Sequence, residues 1–341
     1  MDEFVHHPLK LKQIFFRGAL AAALLTLNAC SRPAADFTLT LGGDIMLARE
    51  GKPLFETQGQ EINPWSELQQ KGVLINDDSS VLDYFLVNLE SPLGEYPPDV
   101  SDMNLCSNPL QVKMLTTGGV DLVSLANNHR DDCEINGTDL TKSYLDEANI
   151  HSSSMGAAPT YIEIPGGRLA VISAEDISGL LDVDALITEI NNAQQQAQVV
   201  VVSMHWGNEY QAGADERQQT LAQQIADAGA DVIWGHHPHV LQKMEWLEST
   251  DGRQVLALYS LGNLLADQWM LEDAQQSALV RLYFRDNKIN GIEVIPLEID
   301  QTTKTIQIAE GTHLRENIFV RLTGSLTTRE GMKIQLLPET R

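Results

Sequence analysis

Five short polar segments, each placed directly after a run rich in Val, Leu or Ile, constrain this chain more than any other feature. They are Gly43-Asp44 with Met46, Asn88-Leu89-Glu90, Ala126-Asn127-Asn128-His129, His205-Trp206-Gly207 and Gly235-His236-His237-Pro238-His239. Apolar runs of that length read as buried strands, so the polar residues project from strand ends and the loops after them. In open α/β sheets that edge is where ligands bind. Imidazole and carboxylate gathered there make a borderline-soft donor set suited to Zn, Mn, Fe or Ni. A two-metal hydrolytic centre explains all five segments at once.

The order of elements supports an α/β protein. Strands are expected at Phe37 to Leu41, Val81 to Leu89, Val120 to Ala126, Arg168 to Ala174, Val199 to Met204, Val232 to Trp234 and Val255 to Tyr259. Leu140 to Ala148, Leu186 to Gln198 and Glu216 to Ala228 carry helical patterning, the last closed by Gly229. From Ala278 the character shifts to alternating antiparallel strands, with turn residues at Asp286-Asn287. These strands, from about 278, are expected to complete a second sheet rather than form a separate domain, so residues 37–341 make one catalytic unit.

The 341 residues carry a net charge of −24. So acidic a surface repels nucleic-acid backbones and anionic lipids, and nucleic acid is excluded as a partner. An anionic substrate would need a local positive feature such as bound metal. Residues 1–29 read as a leader: Lys10, Lys12 and Arg17 precede an apolar stretch from Ala19 to Leu27. The stretch ends in Leu27-Asn28-Ala29-Cys30, which resembles a bacterial lipobox. The lipobox implies that Cys30 becomes a lipidated first residue, with 30–36 as a tether and the bacterial cell envelope as the location. In a Gram-negative host, Ser31 implies sorting to the outer membrane, facing the periplasm. An ordinary secretory signal is the alternative. Cys106 and Cys133 then remain; in an oxidising compartment they pair, or else they are two small buried apolar residues.

Each polar segment has a plain reading beside the chemical one. Asp44 caps a turn or ligates a cation. Glu90 ends an apolar strand, where an unpaired carboxylate is costly and a cation relieves the cost. Asn127-Asn128-His129 is a simple turn, or one Asn carbonyl ligates metal while His129 donates a proton. A lone His205 could be structural, but Trp206-Gly207 and Glu209-Tyr210 beside it favour function. His237-Pro238-His239 aims two imidazoles from one stiffened loop, with Gly235 letting the backbone turn closely.

Taken together the motifs GDIMLAR (Gly43 to Arg49), NLESPLG (Asn88 to Gly94), SLANNHRDD (Ser124 to Asp132), HWGNEY (His205 to Tyr210), GADVIWGHHPHVLQ (Gly229 to Gln242) and YSLGN (Tyr259 to Asn263) resemble one family. It is the bacterial capsule-synthesis (poly-γ-glutamate biosynthesis, CapA-type) family of the calcineurin-like metallophosphoesterase superfamily. The resemblance implies a four-layer αββα sandwich of metallophosphoesterase type, with two divalent metals at strand ends. It implies Asp44 and His239 on one metal, a bridging Glu90, Asn128, His205 and His237 on the other, and His129 as general acid. Asn88, Asn127, His236, Glu209 and Asn263 are expected around the substrate pocket. The superfamily often has His two residues after the first Asp; here that position is Met46, leaving the first site a ligand short. Glu134 and Leu264 stand where the family usually has Gly and Phe.

Two functions follow from the resemblance. One is hydrolysis of a phosphoester by a metal-activated water; the other is a non-catalytic accessory role, binding or exporting an anionic capsular polymer. Synthase components for capsule or polyglutamate are the implied partners, with the membrane contacted through the lipid anchor. Cys30→Ser is expected to abolish metabolic lipid labelling and release the protein from the membrane fraction. Labelling that persists in this variant would refute the lipobox.

Overall fold

The computed structural model describes residues 35–50, 52–57, 60–74, 81–97, 103–133, 137–268, 270–324, 326 and 332–337. The leader, Cys30, most of the tether and Glu134 lie outside the described residues. In chain order the first sheet strands are β1 (Phe37–Ile45), β2 (Leu82–Leu89), β3 (Leu122–Ser124) and β4 (His151–Ser153). Next come β5 (Thr160–Ile164), β6 (Gly167–Glu175), β7 (Val199–His205), β8 (Val232–His236), β9 (Met244–Glu248) and β10 (Gln254–Leu258). The last are β11 (Asn263–Leu265), β12 (Gln276–Arg285), β13 (Lys288–Asp300), β14 (Thr305–Ile308) and β15 (Lys333–Leu336). The main helices are α1 (Val112–Gly118), α2 (Gly137–Glu147), α3 (Val183–Gln194), α4 (Glu216–Ala228) and α5 (Thr312–Thr323).

Two sheets result. One runs β14-β13-β12-β1-β2-β3-β4, with β11 joined to β1 and β15 to β13; the other runs β9-β10-β8-β7-β6-β5. Phe37, Leu39, Leu41 and Leu86 of the first sheet share a core with Val171, Val201, Trp234 and Leu258 of the second. The outer face of the first sheet packs Val87 and Val123 against Met114 and Leu115 of α1 and Leu145 of α2. The outer face of the second packs Ile172, Val202 and Ile233 against Ile190 of α3 and Leu221 and Ile225 of α4. Strands apolar on both faces, such as Val199–His205, follow from being covered on both sides. The fold is therefore α/β, a four-layer αββα sandwich.

Local chemistry sets the element ends. Asp215 accepts the Gln218 backbone N–H while the Gln218 side chain accepts the Asp215 N–H, a capping box that starts α4, and Gly229 closes it. Asp286 and Asn287 both take positive φ (51° and 58°), the two-residue turn that suits the twist of the β12–β13 hairpin. One expectation needs correction. The strands from about 278 do not build a sheet apart from β1. β12 pairs antiparallel with β1 in the register Phe37 with Phe284 and Leu41 with Val280, so the C-terminal strands extend the sheet that β1 begins. The other sheet comes wholly from the segment between Thr160 and Leu258.

Close backbone approach makes two glycines obligatory near the strand ends. A Cβ on Gly43 would lie 1.9 Å from the Gly262 carbonyl oxygen, and one on Gly235 would lie 2.1 Å from the Tyr259 carbonyl oxygen. Neither obstacle is a movable side chain. Gly235→Ala should thus cost about 3 kcal/mol, the upper range for overpacking, and lower the urea midpoint accordingly. A wild-type midpoint would show that the strand can shift freely there.

Candidate metal centre

The C-terminal ends of the parallel strands in both sheets meet at one place. In the first sheet Asp44 is in register with Asn88 and with Asn263. In the second, His205 is in register with Glu175 on one side and His236 on the other. Facing sheets therefore deliver carboxylates and an amide from one side and imidazoles from the other.

Asp44, Glu90, His205, His237 and His239 are all buried. Among the described residues three donor groups could hold a metal ion, and two of them are wholly buried, Asp44 with Glu90 and His239, and Glu90 with His205 and His237. Glu90 belongs to both. Its carboxylate lies 3.6 Å from His205 Nε2 and 3.8 Å from His239 Nε2. Neither Glu90 oxygen accepts a hydrogen bond, although both are buried. An ionised carboxylate so placed is strongly unfavourable without a cation, and this orphaned group is the best fit of the site to metal. Asn128 joins the second group, its Oδ1 2.8 Å from His205 Nε2. His237 Nδ1 lies 3.1 Å from that same His205 nitrogen. Three side-chain donor atoms thus converge on one point.

The loop that carries the two terminal imidazoles is strained. His237 and His239 adopt φ of 92° and 56°, conformations that non-glycine residues hold only where surrounding structure enforces them. Here the His237 N–H donates to Asp44 Oδ2 at 3.2 Å, and His239 Nδ1 lies 3.0 Å from Asn263 Oδ1 and 3.3 Å from Asp44 Oδ2.

Protons are divided unevenly in this volume. Burial pushes the Glu90 carboxyl up to about 7. Burial also pushes His236 and His237 down to about 4, and His205 well below its ordinary value. Burial opposes charge on His239 too, but Glu90 and Asp44 beside it outweigh that and raise it to about 9. For Asp44 burial acts upward, and the His239 hydrogen bond with the surrounding imidazole charges holds it well below the usual carboxylate range. His205, His236 and His237 are thus neutral and suited to a cation, whereas a cation bound at His239 would have to displace its proton and keep Glu90 ionised.

Not every residue expected at the pocket lines it. Asn88 is buried and donates to Asp44 Oδ1 at 2.7 Å. Asn127 is bound to backbone, donating to the Leu89 carbonyl and accepting the His129 N–H, as a plain turn would. Asn263 lies behind His239, held by Gln268 and the Ala274 carbonyl. His236 is packed edge-on against Trp234, with its Nδ1 3.5 Å from Asp44. All four are buried beneath the donor cluster; of the five, only Glu209 is exposed. Met46, at the position of the absent ligand, is buried among Leu105 and Ala266. Cys106 and Cys133 are joined by a disulfide.

Residues 38–268 match the family described as bacterial capsule synthesis protein PGA_cap. This chain belongs to that family. Capsule biosynthesis protein CapA of Bacillus anthracis is 30% identical over 297 residues, covering 77% of this chain and 68% of its own length. PGA biosynthesis protein CapA of Bacillus subtilis strain 168 is 30% identical over 284 residues, covering 76% and 71% respectively. Among solved structures, a novel phosphatase from Mycoplasma pneumoniae aligns at a TM-score of 0.44 with 11% identity, over 81% of this chain and 92% of its own. So distant a likeness carries nothing about activity.

In this capsule-synthesis family member three further residues shape the site that the polar segments did not single out. Asp132 Oδ2 lies 2.8 Å from His129 Nδ1 and also accepts the Leu105 N–H at 2.6 Å. Burial opposes charge on His129, and Asp132 and Glu90 more than offset it, raising its pKa. Arg130 Nη1 donates to Glu175 at 2.8 Å, tying the Asn128-His129 loop of one sheet to the β6 end of the other. Glu175 follows the apolar run Leu169 to Ala174, the same signature as the five segments. Its counterpart, Arg130, is recognisable only once the sheets are placed.

Proposed function

We propose that this chain is a metal-dependent phosphoester hydrolase of the cell envelope that serves capsule or poly-γ-glutamate biosynthesis. The observation that supports it most is Glu90: a fully buried carboxylate without a hydrogen-bond donor, common to two donor groups. In this reading Asp44, Glu90 and His239 hold one divalent cation, and Glu90, Asn128, His205 and His237 hold the other. Two cations bound so supply charge neutralisation for a phosphoryl group and a lowered pKa for water. That positive feature is what an acidic protein needs to take an anionic substrate. The relatives' names, capsule biosynthesis and PGA biosynthesis, support the biological setting, and Cys30 would supply the membrane anchor.

His129 is assigned the proton. With Nδ1 engaged by Asp132, Nε2 is the nitrogen able to hand a proton to a leaving oxygen. His129 is half-buried, as is its neighbour Asn128, whereas Asp44, Glu90, His205, His237 and His239 lie deeper. This division of roles is testable. His129→Ala should keep near-normal metal content yet lose roughly 10²–10⁴-fold in kcat on a phosphoester with a poor leaving group. The defect should shrink with an activated aryl leaving group, which needs little protonation. Loss of metal in His129→Ala would make His129 a ligand. No turnover of any phosphoester by the wild type with any divalent metal would leave the accessory role, binding an anionic polymer, in its place.

A further inference from the structure

The superfamily position two residues after Asp44 is Met46, and its side chain is turned into a small apolar cluster with Leu105 and Ala266. No ligand can come from there. The group Asp44, Glu90 and His239 therefore offers three protein donors, all from the buried side. A third group that could hold a metal ion exists on the solvent side, formed by Glu209 with His237 and His239. Its two imidazoles are one from each of the groups already described. Glu90 joins His239 and His237 from below, and Glu209 joins the same two imidazoles from above.

Glu209 is delivered by defined contacts. The Trp206 N–H donates to the His236 carbonyl at 3.1 Å, and the Tyr210 N–H donates to the Pro238 carbonyl at 2.8 Å. The 205–210 loop is thus laced to the loop that carries His237 and His239. Tyr210 takes a positive φ of 61°, lies with its ring tilted 40° to that of His239 at 6.0 Å between centroids, and hydrogen-bonds to Glu209. An exposed carboxylate with only solvent around it would need none of this.

We propose that Glu209 is a metal ligand, a second carboxylate that spans the His239 and His237 cation positions from the solvent side and replaces the ligand missing at Met46. The proposal rests on the metal reading above. It makes the centre carboxylate-rich at its mouth, where a hard oxygen donor favours Mn or Mg over a softer ion. It would also put a carboxylate at the exposed mouth of the site, where an anionic substrate group would have to compete with it.

The test is manganese binding by the full-length protein and by Glu209→Gln, which keeps the side-chain length and a hydrogen-bond acceptor for Tyr210. Equilibrium dialysis with metal analysis gives stoichiometry and affinity, and electron paramagnetic resonance reports whether two manganese ions are exchange-coupled. Wild type should retain about two ions per chain. Glu209→Gln should lose at least one ion or weaken its binding about tenfold or more, a loss that even partners of ligands produce, and the coupled signal should fade. Glu209→Asp should restore part of it. Wild-type affinity and an unchanged coupled signal in Glu209→Gln would overturn this assignment alone. A wild type that binds no manganese would overturn the metal reading with it. Because Glu209 is exposed, its urea midpoint should stay at the wild-type value, which separates ligand loss from misfolding.

Discussion

A carboxylate that is fully buried, with neither oxygen hydrogen-bonded, dictates much of how this protein is arranged. Moving an ionised carboxylate from water into a protein interior costs several kcal/mol even after relaxation, and Glu90 has no donor to offset it. Its surroundings answer by concentrating imidazoles. His205 and His239 lie within 4 Å of it, His237 shares a donor group with it, and Asp44 sits beyond. Burial depresses His205 and His237, leaving those imidazoles free of the proton as ligation requires, while it raises Glu90, a carboxyl that a bound cation would have to hold ionised.

The sandwich is what brings these groups together. β1 and β2 run parallel, so Asp44 and Asn88 end side by side, and β7 and β8 run parallel, so His205 and His236 do the same. Packing the two sheets face to face through Leu41, Leu86, Val201 and Trp234 superimposes the two sets of strand ends. The indole of Trp234 donates to the Gly42 carbonyl at 2.8 Å, one bond across the sandwich beside the turn that delivers Asp44. Arg130 and Glu175 supply a second tie on the other flank. The Cys106–Cys133 bond joins two loops of the first sheet, next to Asp132, whose carboxylate aims His129.

Much of this was legible in the chain. Runs such as Val199 to Met204 announce a strand covered on both faces, and the patterning of Glu216 to Ala228 matches α4 residue for residue. The convergence of Asp44, Glu90, His205, His237 and His239 was readable because each ends an apolar run. What stayed hidden depends on the third dimension. Sheet membership of the strands from about 278 is fixed by β12 pairing with β1, a contact that no local pattern encodes. The α5 helix mixes Arg315, Glu316 and Arg321 among its apolar residues, so its periodicity is weak, yet Ile318 and Leu322 reach the central core. Asn88, Asn127, His236 and Asn263 look like pocket residues by type and place, but hydrogen bonding and packing put them underneath it.

The central claim is that Glu90 stands between two cations. A crystal of the full protein loaded with manganese and measured near the manganese absorption edge tests it directly. The account predicts two anomalous peaks roughly 3.5–4 Å apart, one beside Asp44 and His239, the other beside Asn128, His205 and His237, with Glu90 reaching both. Absence of any peak at Glu90, or peaks confined to a separate face of the sandwich, would contradict it.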